Sequence, residues 1–231
     1  MGTEEQKVIE ERVWKIRRQM EEAARQAGRK PEEILLLAAS KTQSAQRVAF
    51  SAGLDIDLFG ENRAQELVEK MDAGAYRGKP VHMIGHLQKN KAKYAVGRAA
   101  LIHSADSLEL AQEICRQAQK RNLVPDVLIE VNLAGEQSKS GVAPQELEAL
   151  LEQVCQLDGL RVRGLMAIPP VSRQPGQNKP YFSALRQLFV DIKSKKYDNV
   201  NMTCLSMGMS QDFCDAIAEG ATLVRIGSGI Y

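Results

Sequence analysis

The chain has 231 residues, 44% apolar and 26% charged, with a net charge of +2. That length can bury a substantial core, and the near-neutral balance makes no case for DNA or an anionic membrane surface as a partner. No apolar run approaches the length of a membrane span, and the four cysteines (Cys115, Cys155, Cys204, Cys214) have no CxxC spacing, so they read as buried thiols in a reducing compartment, most simply the cytoplasm.

The opening stretch, MGTEEQKVIEERVWKIRRQMEEAARQAGRK, is charged and helical in period, unlike a signal peptide. Met1-Gly2 begins like a myristoylation signal, but Gln6 stands where Ser or Thr is needed. Val8, Val13, Ile16, Met20, Ala23 and Ala24 recur at helical spacing from about Glu4 to Ala27, and Gly28 and Pro31 supply the stop.

Beyond Pro31 the pattern alternates. Short apolar runs fall at Ile34–Ser40, Ile56–Gly60, Val81–Gly85, Ala100–His103, Val127–Asn132, Arg163–Ile168, Met202–Ser206 and Thr222–Ile226. Helical patterns lie between them, near Gln43–Gly53, Glu61–Met71, Lys89–Val96, Ser107–Arg121, Pro144–Gln156, Lys179–Lys195 and Gln211–Glu219. Strands that alternate with helices imply parallel pairing through helical crossovers. A doubly wound sheet and a closed (β/α)₈ barrel both use that alternation. Eight strands in a chain of this length favour the barrel, and the first loop has no GxGxxG to support a dinucleotide fold. The reading is one α/β domain over residues 1–231, a (β/α)₈ TIM barrel, with residues 1–30 as an additional N-terminal helix packed on it.

In such a barrel chemistry collects at the carboxyl ends of the strands. Those ends carry Ser40-Lys41, Gly60-Glu61-Asn62, Gly85-His86, His103-Ser104, Glu130-Val131-Asn132, Met166, Ser206-Met207-Gly208 and Arg225-Ile226-Gly227-Ser228. The last two loops are glycine-containing, and Ser210 is placed to cap the helix that follows the seventh strand. Glycines let backbone N–H groups approach an anion, and loops after strands 7 and 8 are common phosphate sites in barrels. Each loop alone reads equally as a capped turn; the pair in these positions favours phosphate. Lys41 then stands as an amine across the barrel mouth from a phosphate site. Burial would lower its pKa and free the nucleophile for a Schiff base with a phosphorylated carbonyl compound. Two ligand types fit: a sugar phosphate, as in an aldolase, and pyridoxal phosphate.

ASKTQS, FGENRAQE, HMIGHLQKNKAKY, EVNLAGEQSKSG, GLMAIPP, LSMGMSQDF and VRIGSGIY, in this order over nearly the whole chain, resemble the YggS/PROSC family of pyridoxal-phosphate homeostasis proteins. The resemblance implies a barrel like the N-terminal domain of alanine racemase, with pyridoxal 5'-phosphate held as a Schiff base on Lys41. It further implies that Ser206, Met207, Gly227 and Ser228 cradle the phosphate, largely through backbone N–H groups. By the same resemblance Arg225 would approach the pyridine nitrogen and Asn62 would lie near the ring, while His86 and Met166 match motif positions at the rim.

A guanidinium is a permanent donor, so Arg225 against the pyridine nitrogen favours the unprotonated ring, the weaker electron sink. Racemases on this barrel add a tyrosine acid/base from a β domain, and this chain stops at Tyr231. The resemblance therefore implies an intracellular carrier that delivers the cofactor to apo-enzymes, expected as a monomer, with no robust catalytic activity and no catalytic residue assigned. A weak amino-acid racemase and a Schiff-base aldolase are the alternatives. Family members usually continue past this point with a glycine and further residues, while the phosphate loop is intact here.

Other motifs read as structure. GEQSKSG (Gly135 to Gly141) echoes a P-loop without its Gly-Lys-Ser order and reads as a polar turn. Lys89, Lys91, Lys93 and Arg98 form a basic face without an aromatic platform, a solvated helix face in preference to an RNA site. His82 and His86 flank a strand end, do not share a helical face and have no third ligand, so no metal is expected. His103 reads as a hydrogen-bonded strand-end residue.

Overall fold

Residues 1–136 and 139–231 are described by a computed structural model. Eight parallel strands close into a barrel in chain order: β1 (Leu35–Ala39), β2 (Leu58–Glu61), β3 (Val81–Met83), β4 (Leu101–Ala105), β5 (Asp126–Glu130), β6 (Arg161–Met166), β7 (Val200–Ser206) and β8 (Leu223–Ile226). Closure is made by β8 against β1, with Leu37 opposite Arg225 and Ala38 opposite Ile226. The helices are α1 (Thr3–Gln26), α2 (Ala45–Ser51), α3 (Ala64–Asp72), α4 (Ala92–Ala95), α5 (Leu108–Gln119), α6 (Leu147–Val154), α7 (Lys179–Ser194) and α8 (Phe213–Ala218). Every expected strand and helix is present, with the ends shifted by a few residues. The fourth helix is the most reduced: Lys89–Lys91 forms a 3₁₀ turn ahead of α4.

Period-2 alternation sorts the strand side chains. On β1, Leu36 and Ala38 face the helices while Leu37 joins Leu58, Ile84 and Leu223 inside the barrel. Leu101, Leu128 and Met166 form a second inner group. The wide outer layer, between strands and helices, holds most of the core.

Helix α1 buries Ile9, Val13, Ile16, Met20, Ala23 and Ala24, with Ile9 taking the place expected of Val8. It lies against α8 and backs the last loop, where Ile16 approaches Gly229. Just past its end, Arg29 donates to the carbonyls of Ile217 (2.9 Å) and Ala221 (2.7 Å). The N-terminal helix thus backs the loop after β8, while Arg29 holds the end of α8 and the turn that leads into β8. Of the four cysteines expected to be buried, only Cys115 is, and Cys214 is exposed. Among the described residues no helix is long and apolar enough to cross a membrane, and no cluster of His, Cys, Asp and Glu could hold a metal ion.

Candidate functional site

Lys41 lies two residues past the end of β1, in a turn, and is exposed, so the protein does not bury its amine as the sequence suggested. The turn is fixed nonetheless. Ser40 is fully buried and donates through Oγ to Glu61 Oε1 (2.6 Å). Thr42 has φ 64°, a left-handed conformation that a β-branched residue avoids, at a cost of about 1–3 kcal/mol. The Thr42 N–H donates to Glu66 Oε2 at 2.8 Å, which holds the turn in that shape.

Because β8 pairs with β1, the loop after β8 lies beside Lys41 and not across the mouth from it. A Cβ on Gly227 would sit 3.4 Å from the Ala39 carbonyl. Gly208 comes close from the preceding loop, and its carbonyl accepts from the Arg225 N–H at 3.0 Å. Its φ is 91°, and a Cβ would lie 2.5 Å from that of Ala216 on α8, so only glycine fits. Among the described residues, the backbone N–H groups of Gly208, Ser210, Gly227 and Ser228 have no hydrogen-bond partner. The Met207 N–H is not available, since it donates to the Leu223 carbonyl (3.2 Å), and its side chain is buried in the outer core. Ser210 does not cap the helix; its Oγ accepts the Gly229 N–H at 3.2 Å and ties the two loops together. Asp212 takes the capping position, accepting from the Met209 N–H at 2.7 Å. An exposed amine beside free N–H donors in two adjoining loops fits a phosphorylated carbonyl compound.

Arg225 points inward from β8, buried, donating to Ser206 Oγ (2.5 Å) and the Ala167 carbonyl (2.9 Å). Burial lowers its pKa to about 10, with Glu130 the main opposing influence, so it stays charged at neutral pH. Glu130, at the end of β5, is buried, and its Oε2 has no partner among the described residues. Burial pushes its pKa up to about 7, Asp106 adds to the rise and Arg225 opposes it. Ser206 continues inward to His103 Nδ1 (3.1 Å), and His103 Nε2 meets His82 Nδ1 (2.9 Å). His103 is therefore an interior residue rather than a strand-end one. His82 lines a cavity of about 700 Å³ at the amino ends of the strands, with Leu35, Leu101 and Arg163.

Asn62, half-buried just past β2, is fixed by close approach to Gly85, where a Cβ would lie 2.4 Å from the Asn62 carbonyl. With Glu66, His86 and Lys91 it lines a groove of about 630 Å³ beside the mouth. His86 is exposed, with Nδ1 3.0 Å from Ser140 Oγ and 3.7 Å from Asp106. Met166 is fully buried beneath the mouth and forms its floor, not its rim. Lys41, Gly227, Ser228, Ser206 and Arg225 thus come together at the β8–β1–β7 side, while Asn62 and His86 sit toward β2 and β3. GEQSKSG includes Gln137 and Ser138, which lie outside the described residues.

Sequence reasoning missed Lys70, buried on α3 and bonded to Glu61 and the Ser40 carbonyl. A signal existed: Ala64, Leu67 and Lys70 fall at helical spacing, which places a lysine in an apolar stripe.

The model of the alanine racemase N-terminal domain family matches residues 14–231. A pyridoxal phosphate homeostasis protein of Aquifex aeolicus is 43% identical, covering 96% of each chain. Another, of Pseudomonas aeruginosa, is 41% identical over 96% of this chain and 94% of its own. The solved structure of PipY from Synechococcus elongatus with PLP bound superposes with a TM-score of 0.84 at 32% identity, covering 96% of this chain and 99% of that one.

Proposed function

The chain belongs to the alanine racemase N-terminal domain family, together with the pyridoxal phosphate homeostasis proteins, and on that footing we propose that it binds pyridoxal 5'-phosphate as a Schiff base on Lys41. The observation that carries the reading is the side-by-side placement of the Lys41 turn and the Gly227–Ser228 loop, brought about by the β1–β8 pairing. The cofactor supplies an aldehyde, to which the Lys41 amine adds with loss of one water as the C=N bond forms.

The chain's own groups then have distinct tasks. Gly208, Gly227 and Ser228 offer N–H donors to the phosphate. Ser206 contributes by holding Arg225, and Met207 by packing behind the loop. Arg225 presents a fixed positive charge toward the pyridine nitrogen and keeps that nitrogen unprotonated. Met166 closes the floor, and Asn62 borders the ring from β2. All of 1–231 serves as one cofactor-binding unit.

The function that follows is reversible storage of the cofactor and its delivery to apo-enzymes, by a monomer in the cytoplasm, where the four free cysteines would stay reduced. The exposure of Lys41 suits release, because the bond to the cofactor is open to water and to other amines.

The test is an absorbance spectrum of wild type and Lys41→Ala, before and after adding pyridoxal 5'-phosphate, followed by reactivation of an apo-transaminase. A yellow band in the wild type, absent from the mutant, and reactivation by the loaded protein are expected. A wild type that stays colourless sinks the reading.

A further inference from the structure

Two peptide planes bound the Cα of Lys41, and each is gripped by a side chain from a single turn of α3. The plane between Ser40 and Lys41 is held at its carbonyl, which accepts Lys70 Nζ at 2.7 Å. The plane between Lys41 and Thr42 is held at its N–H, which donates to Glu66 Oε2 at 2.8 Å. Fixing both planes fixes φ and ψ of Lys41, and therefore the direction of its Cα–Cβ bond. Glu66 and Lys70 are one helical turn apart and bond each other at 3.2 Å. Lys70 is tied further to Glu61 Oε1 at 2.8 Å, and Glu61 accepts Ser40 Oγ and Tyr76 Oη.

Packing alone does not call for this arrangement. A lysine on the buried stripe of a helix is an expensive way to fill space, and an aliphatic residue would serve the core better. Thr42 is held in a conformation it would leave if released. The cluster therefore keeps a turn in a shape that the turn would not choose, next to an otherwise flexible and exposed lysine.

We propose that Glu66 and Lys70 are positioning residues for Lys41, aiming its amine at the carbonyl carbon of the ligand held by the neighbouring glycine loops. The proposal rests on the Schiff-base reading given above. It concerns bond formation at Lys41 and leaves phosphate and ring recognition to other residues.

Two ligands separate those effects. Pyridoxal 5'-phosphate can bond to Lys41, whereas pyridoxine 5'-phosphate keeps the ring and phosphate but has an alcohol in place of the aldehyde. Adduct formation is followed by absorbance and by mass after borohydride reduction, and pyridoxine 5'-phosphate binding by calorimetry. In Glu66→Ala, a change at a partly exposed site, adduct formation should fall at least tenfold while pyridoxine 5'-phosphate binds within twofold of wild type. Lys70→Met should behave alike if its melting curve stays cooperative; Glu66→Ala decides the matter if it does not. Wild-type adduct formation in Glu66→Ala, or a parallel loss of both ligands, overturns the proposal. An adduct that persists in Lys41→Ala would instead overturn the assignment of Lys41 itself, and the positioning role with it.

Discussion

His82 Nδ1 and His103 Nε2 lie 2.9 Å apart inside the barrel, the inner end of a chain that begins at Arg225. Arginine can only donate, so Ser206 Oγ accepts from Arg225 and can give its own hydroxyl proton to His103 Nδ1, the tautomer in which His103 donates from Nε2 to His82 Nδ1. That arrangement has both imidazoles neutral. Burial favours that state: it lowers the pKa of His82 to about 4 and that of His103 well below its ordinary value.

Folded pKa values below the unfolded one mean that the unfolded chain takes up protons first on acidification. Stability contributed by the pair is complete above pH ~6.5 and is lost as the pH falls toward 4, with His82 accounting for roughly 3 kcal/mol. Urea denaturation between pH 7 and 4 checks this. His82→Gln should flatten the slope in that window, and an unchanged slope would contradict the assignment.

Glu130 has the opposite sign. Its folded pKa of about 7 lies above the unfolded value, so its contribution is complete at low pH and is lost as the pH rises through 7. Glu130→Gln should therefore stabilise the protein at pH 8, by roughly 1–3 kcal/mol, and have little effect at pH 5. Paired denaturation curves at the two pH values give the answer.

Glu61 and Lys70 are both buried at the end of β2 and on α3, 2.8 Å apart. Lys70→Met leaves the Glu61 carboxyl without its cation and should cost about 3–5 kcal/mol. Adding Glu61→Gln should recover much of that loss. A double-mutant cycle by chemical denaturation measures the coupling, and additive losses would mean that the two side chains act independently.

Gly208→Ala forces a methyl group against Ala216 in a left-handed conformation. Overpacking alone costs about 1–3 kcal/mol, and α8 must shift to relieve it. Affinity for pyridoxine 5'-phosphate should fall in parallel, because the free N–H of residue 208 moves with the loop. Full affinity in a destabilised variant would remove this loop from the phosphate site.

The eight strands were legible because parallel barrel strands are buried on both faces and appear as continuous apolar runs between helical patterns. The same property hides what lies inside. A continuous run has no alternation to mark which residues face the axis, so His103 reads as a strand-end residue when it is interior, and Met166 as rim when it is floor. Ser210 has the composition of a helix cap, yet the helix starts later and its hydroxyl ties two loops together. Local sequence thus determined the elements, their order and the residue types at the strand ends, Lys41 and the glycine loops among them. Closure of β8 on β1 decided that Lys41 and Gly227 are neighbours, and the packing of α3 on β2 and β3 decided that a buried lysine grips the turn after β1. Both are contacts between segments far apart in the chain, set by barrel register and helix packing, and no local pattern encodes them.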